Sequence, residues 1–215
     1  MTQSLAAVLD KLPGLSLFGG DEAGVIGCVV PDREYLKWLV AVNGATAFHG
    51  ALRFFPAMAT HGMRDVCSWN SAETWKSYYG VHSPDSLLLF AEDAFGVQFG
   101  FESTGSVSIF WSETGEIEPL EIGLREFLER VLEDPDGTIS LDFYLSARDA
   151  LGAANAAHHY ALQVETALGG ELAVDNLLLM DSVMHMRSLG KIAQQLRDIP
   201  EGTAIRSVTK EPEES

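Results

Sequence analysis

Along the chain the spacing of apolar residues switches between a helical and a strand period, and each switch marks an element. Leu5, Val8, Leu9 and Leu12 recur at helical spacing and predict a short amphipathic helix over residues 4–12. Glycines at 14, 19, 20, 24 and 27 then break regular structure. Pro31-Asp32 opens a second helix, with the acid in its first turn. Its apolar face is Tyr35, Leu36, Leu39, Val40 and Val42, and Asn43-Gly44 ends it as a left-handed cap would. Residues 52–56 read as a short strand closed by Pro56. Residues 69–79 predict a short helix that turns Trp69, Trp75, Tyr78 and Tyr79 toward the core.

The middle of the chain changes to a strand period. Residues 86–91 are apolar almost throughout, as a buried central strand would be. Val97, Phe99 and Phe101 alternate with other residues, as do Val107, Ile109 and Trp111, so each set shares one face of a strand. Residues 92–96 and 103–105 connect these runs as turns, and the spacing predicts an antiparallel meander. A turn at Thr114-Gly115 leads to a further strand over 117–122. Leu124, Phe127, Leu128, Val131 and Leu132 then mark a helix, which Asp134 to Gly137 ends.

Beyond residue 137 the predicted elements are a helix over 141–159 and a strand over 160–164. A turn at Gly169-Gly170 follows, and Val174-Asp175-Asn176 caps a long helix over 177–196. A last strand over 203–208 precedes a polar, frayed tail. The expected architecture is α+β, with a largely antiparallel sheet, flanking helices and a mixed helical C-terminal extension. Residues 1–137 form the main domain in this reading, 138–209 the extension packed on it, and 210–215 the tail.

The 215 residues are 47% hydrophobic, enough to bury a substantial core. The formal net charge is −17, which disfavours a nucleic-acid partner. Between Asp85 and Asp142 fourteen acids face two bases, a local net of −12. That field either keeps the protein in solution or attracts a basic partner. Cys28 and Cys67 stand outside any CxxC spacing, which points to a reducing compartment or burial as small apolar side chains. No signal-peptide pattern opens the chain and no apolar run is long enough to span a bilayer. A cytoplasmic location without a membrane partner is the expectation.

Several ordered segments resemble those of the SUKH superfamily. Residues 31–44 (Pro-Asp-Arg-Glu-Tyr-Leu-Lys-Trp-Leu-Val-Ala-Val-Asn-Gly) are similar to its proline-led opening helix. Arg53-Phe54-Phe55-Pro56 and Trp69-Asn70 resemble the next segments. Residues 87–99 (Leu-Leu-Leu-Phe-Ala-Glu-Asp-Ala-Phe-Gly-Val-Gln-Phe) are similar to the family's apolar strand, acidic-glycine turn and following strand, and Glu126-Phe127-Leu128 falls where a closing helix is usual. The likeness covers about residues 5–135. Residues 168–202 resemble a C-terminal extension of some bacterial relatives, including ones near secreted-toxin genes. The resemblance implies a curved sheet with flanking helices and no known catalytic activity. Bacterial members are largely immunity proteins that bind and block toxins, while others regulate cell-wall synthesis through protein contacts.

The resulting expectation is an immunity protein that occludes a cognate toxin with a basic surface. The alternative is a regulatory protein-protein interaction module without a toxin. The candidate contact residues are Glu92, Asp93, Glu113, Glu116, Glu118, Glu121 and Trp111. Each has a plain structural reading beside the functional one. Glu92 and Asp93 suit a turn in which an acid bonds its own backbone. Residues 113–121 suit a solvated edge strand protected by outward acids, and Trp111 suits the core.

Other chemistry-bearing residues carry less. Adjacent His158 and His159 diverge in either a helix or a strand and cannot share a metal. His185 is placed to pair with Asp181 four residues earlier. Met180, Met184 and Met186 read as core filling. Cys67 with His61 or His82 lacks any sign of an activated thiol, and the glycine pairs lack phosphate-loop spacing. No catalytic, cofactor-binding or metal-ligating residue, and no cofactor, is expected. An enzyme would instead reveal itself by a polar pocket with converging titratable groups of shifted pKa.

Overall fold

The computed structural model describes residues 4–19 and 26–196. At its centre is a seven-stranded antiparallel sheet whose strands lie in chain order: β1 (Ser16–Leu17), β2 (Ala45–Ala47), β3 (Leu52–Phe54), β4 (Leu88–Asp93), β5 (Gln98–Phe101), β6 (Ser106–Trp111) and β7 (Glu116–Gly123). The C-terminal part adds a two-stranded antiparallel sheet, β8 (His158–Leu162) with β9 (Leu177–Asp181). Helices α1 (Leu5–Leu9), α2 (Arg33–Val42), α3 (Val66–Trp69), α4 (Leu124–Glu133), α5 (Pro135–Ile139), α6 (Leu141–Leu151) and α7 (Ser182–Leu196) flank the sheets. The class is α+β, and the meander β4 to β7 runs as the alternation predicts.

Local chemistry accounts for the element ends. The Asp32 carboxylate accepts the backbone N–H groups of Glu34 and Tyr35 at 2.8 and 2.9 Å, which satisfies two free donors at the start of α2. Asn43 ends α2 in the left-handed region, at φ +55°, and its side chain accepts the Met58 N–H. On this side of the sheet Tyr35, Phe90, Phe101, Phe99 and Phe127 form a continuous run of ring contacts. The opposite side carries a second aromatic run, Phe55, Trp69, Trp75, Tyr79 and Phe110. All four residues of β5 are buried, because both faces of the sheet are covered there.

Three expected elements are corrected. The helix over 69–79 is instead α3, capped by Asp65, followed by a 3-10 turn over Lys76–His82. Asn70 leaves the helix because its side-chain amide bonds the Leu89 backbone in both directions at 2.8 Å. Trp69, Trp75 and Tyr79 are buried as expected, while Tyr78 is half-buried beneath Arg187 and Lys191. The helix from 141 stops at Leu151, where Gly152 takes φ +82°, and His158 and His159 belong to β8. The long C-terminal helix begins only at Ser182, with the Asp181 carboxylate accepting the Met184 N–H. The apolar run Leu177 to Met180 suits either period, and pairing with β8 decides it. Asp134 ends α4 as expected, and it also caps α5.

Cys28 and Cys67 are joined in a disulfide, with their Cα atoms 5.5 Å apart, so neither is a free thiol. This corrects the reading of two reduced or merely buried cysteines and removes Cys67 as a nucleophile. The expected strand over 203–208, the tail over 210–215 and the glycines at 20 and 24 lie outside the described residues. None of the described helices is long and apolar enough to cross a membrane.

Candidate functional site

The register of the sheet sets three polar side chains in a row across adjacent strands. Arg53 on β3 faces Glu92 on β4, which faces Gln98 on β5. All three are buried. In an open sheet these alternating polar positions would face water. Here the C-terminal extension closes over them. Arg53 donates to the carbonyls of Gly50, Ala156 and His158, and Tyr160 N–H on β8 bonds the Ala94 carbonyl just past β4.

Two histidines complete the layer. His159 Nε2 on β8 lies 3.1 Å from Glu92 Oε2, in ion-pair contact, although that nitrogen is not aligned for a hydrogen bond. Its Nδ1 is 3.0 Å from Nδ1 of His185 on α7. Gly96, at φ +97°, makes room for both rings, since a Cβ there would sit 3.0 Å from His159 Nδ1. Burial works against the charge on Glu92, yet His159, the Arg53 guanidinium and the Gln98 amide outweigh it and hold its pKa below the ordinary carboxylate range. Burial pushes the His159 pKa below the usual imidazole value, although Glu92 opposes this. Burial therefore opposes the charge on both members of the pair, and His159, Arg53 and Gln98 together favour the Glu92 carboxylate.

The Nδ1–Nδ1 contact requires one ring to donate and the other to accept. A carboxylate at 3.1 Å favours the proton on His159 Nε2. His159 Nδ1 is then the acceptor in the histidine pair, and His185 Nδ1–H is the donor. His185 Nε2 is buried, has no hydrogen-bond partner among the described residues, and lies 3.9 Å from Glu165 Oε1.

His185, Glu165 and Asp93 all line a cleft of about 410 Å³ between the β4–β6 face and the extension. Phe95, Val97, Phe143, Tyr160, Leu162 and Leu189 give it apolar walls, and among the described residues no lysine or arginine lines it. Burial raises the Asp93 pKa to about 7, against the lowering effect of the backbone bonds its carboxylate accepts. Both side-chain bonds, from Phe95 and Val97 N–H, fall on Oδ1. Among the described residues no group of three His, Cys, Asp or Glu could hold a metal ion.

The expected contact residues divide. Glu92 and Asp93 are buried, 1% and 3% exposed, and do not present carboxylates at the surface; this corrects their placement toward a partner. Asp93 bonds its own turn, as its plain reading held. Glu113 fastens the extension, accepting Thr166 Oγ1 and Ala167 N–H at 2.8 and 2.7 Å. Trp111 is 38% exposed and donates its indole N–H to Glu118 at 2.9 Å, so it is not a core residue. Glu116, Glu118 and Glu121 are exposed on β7, the sheet's edge strand. Trp111, Glu113 and Glu116 meet at the cleft, while Glu121 lies beyond the bulge near the other end of β7.

The His159–His185 contact and the roles of Arg53, Gln98 and Glu165 were missed by sequence reasoning. Arg53 and Gln98 carried a usable signal, as polar residues within apolar strands. His185 pairs with His159 and Glu165, not with Asp181 as expected. Met186 is core filling, whereas Met184 is exposed and Met180, on β9, is half-buried.

No protein-family model matches the chain, and no curated protein does. Among solved structures, it is similar to the crystal structure of Atu4351 from Agrobacterium tumefaciens, at 14% identity and a TM-score of 0.51, over 74% of this chain and 75% of that one. Likeness at this level concerns the fold, and it agrees with the α+β architecture.

Proposed function

We propose that this chain is a protein-binding module that neutralises a basic toxin by covering it, docking through the face that joins the β7 edge to the cleft. One observation carries the reading: an exposed aromatic, Trp111, lines an apolar cleft whose charged lining, among the described residues, is acidic apart from His185. Buried aromatic contact supplies affinity at such a surface, and the surrounding acids steer and select a basic partner. Glu116 and Glu118 on the edge strand β7 add to that field. The SUKH-like segments support the toxin-neutralising role over a general regulatory one.

The test is binding of a toxin encoded beside the gene for this chain, with and without E116K and E118K. The double variant should lose affinity and the steep dependence on salt. Equal binding by both forms, at all salt concentrations, refutes the assignment of this face.

A second reading has one observation in its favour: the cleft brings Asp93, whose pKa burial raises to about 7, together with Glu165 and His185. His185 Nε2 would be its base. Turnover by the purified protein on a hydrolase substrate panel, abolished by H185F, would establish catalysis and displace pure binding.

A further inference from the structure

Three groups with accepting capacity to spare line the cleft. His185 Nε2 is buried without a hydrogen-bond partner among the described residues, and it can accept when Nδ1 of the same ring donates to His159, which stands against Glu92 behind it. The Glu165 carboxylate, 10% exposed, accepts no hydrogen bond among the described residues and stands 3.9 Å from that nitrogen. Asp93 spends Oδ1 on its own turn and leaves Oδ2 without a side-chain donor among the described residues. Its carboxyl, with a pKa near 7, is poised to ionise beside an arriving cation. A buried acceptor without a donor costs free energy, so a ligand that supplies several N–H groups gains by filling the site.

The walls narrow the choice of ligand. Phe95 and Phe143 stack at 5.0 Å, and Tyr160 is 6.1 Å from Phe95. A flat, weakly hydrated cation on an apolar stem packs against the exposed sides of such rings, and its forked donors suit acceptors spread over several side chains. An ammonium is more strongly hydrated and offers its donors from one point.

We infer that the cleft receives an arginine side chain of the protein partner, with the guanidinium donating to His185 Nε2 and the carboxylates of Glu165 and Asp93. The inference rests on the protein-binding reading for its occupant. The cleft's chemistry stands on the residues named.

The test is a calorimetric titration of the full chain with Nα-acetyl-arginine-N-methylamide, beside its neutral citrulline isostere and its lysine counterpart. The arginine derivative should bind saturably and about tenfold or more tighter than either, the margin of one charge-assisted hydrogen bond. E165Q, on the less buried loop, should weaken arginine about tenfold and leave citrulline unchanged. H185F should do the same, with near-ultraviolet circular dichroism verifying its fold. Failure of the arginine derivative to saturate, binding no tighter than citrulline or lysine, or indifference to E165Q overturns the inference. Because this titration uses no toxin, it fails or succeeds separately from docking. Loss of toxin binding in E116K/E118K without arginine binding would leave the surface standing and remove the pocket.

Discussion

Replacing Asp93 by asparagine should make the protein more stable above neutral pH, although it removes a charged group that accepts two backbone hydrogen bonds. Both bonds fall on Oδ1, which the asparagine carbonyl can reproduce. What the substitution removes is the cost of ionising a carboxyl that is only 3% exposed. Burial moves its pKa from 3.8 to about 7. At 1.36 kcal/mol per pKa unit, that displacement is worth about 4 kcal/mol. The folded pKa is raised, so the stabilisation from a neutral Asp93 is complete below pH 3.8 and is lost as pH climbs to about 7. His159 acts in the opposite sense, losing stability as pH falls below the usual imidazole value, but it is common to both proteins and cancels in their difference. Denaturant unfolding of wild type and D93N at half-unit steps from pH 4.5 to 8.5 reads the effect. The gain of D93N over wild type should grow with pH and level off above about pH 7.5, at roughly 2–4 kcal/mol. A difference that stays flat, or one that moves toward wild type as pH rises, refutes the argument that Asp93 is held neutral by burial.

Three further outcomes follow from the same packing. E92Q should destabilise the fold by about 3–5 kcal/mol in chemical unfolding at pH 7, because it leaves the buried Arg53 guanidinium without its carboxylate. Reduction of the Cys28–Cys67 bridge, or C28S/C67S, should cost about 4 kcal/mol in the chain-entropy account for residues 39 apart, read as a lower denaturation midpoint. Removing the exposed ring in W111A should leave unfolding free energy within about 0.5–1 kcal/mol of wild type, as for a surface site, while weakening partner binding by at least about tenfold, measured by titration.

Much of the fold is legible from local pattern. The caps at Asp32 and Asn43 and the alternation through β5 and β6 act over a few residues, and the structure follows them. The helix expected to continue past Leu151 is stopped locally by Gly152, while in other failures the preference of a segment is overruled by a distant partner. Leu177 to Asp181 pairs with β8 residues 15 to 23 positions earlier, and Asn70 is drawn out of a helix by Leu89, nineteen residues away. The disulfide spans 39 residues and leaves no local trace.

The site was legible in its parts and not in its assembly. Glu92, Asp93, Trp111, Glu113 and Glu116 stand out by type and charge. Nothing near Glu92 in the chain reveals that residues 158–189 will cover it. The turn-like Glu-Asp-Ala-Phe-Gly run therefore reads as surface, where the fold makes it the floor of a covered layer. His159 and His185 are 26 residues apart and meet only through β8 and α7.

The central claim is that the acidic edge and cleft dock a toxin. Its most direct measurement is growth of cells expressing each polypeptide encoded beside this gene, with the chain supplied as wild type or as W111A/E116K/E118K. The account predicts that one neighbouring polypeptide arrests growth, that the wild-type chain restores it through direct binding, and that the triple variant, folded as judged by its unfolding curve, does not. Restoration by the triple variant equal to wild type, or no neighbouring polypeptide bound or neutralised by either form, contradicts it.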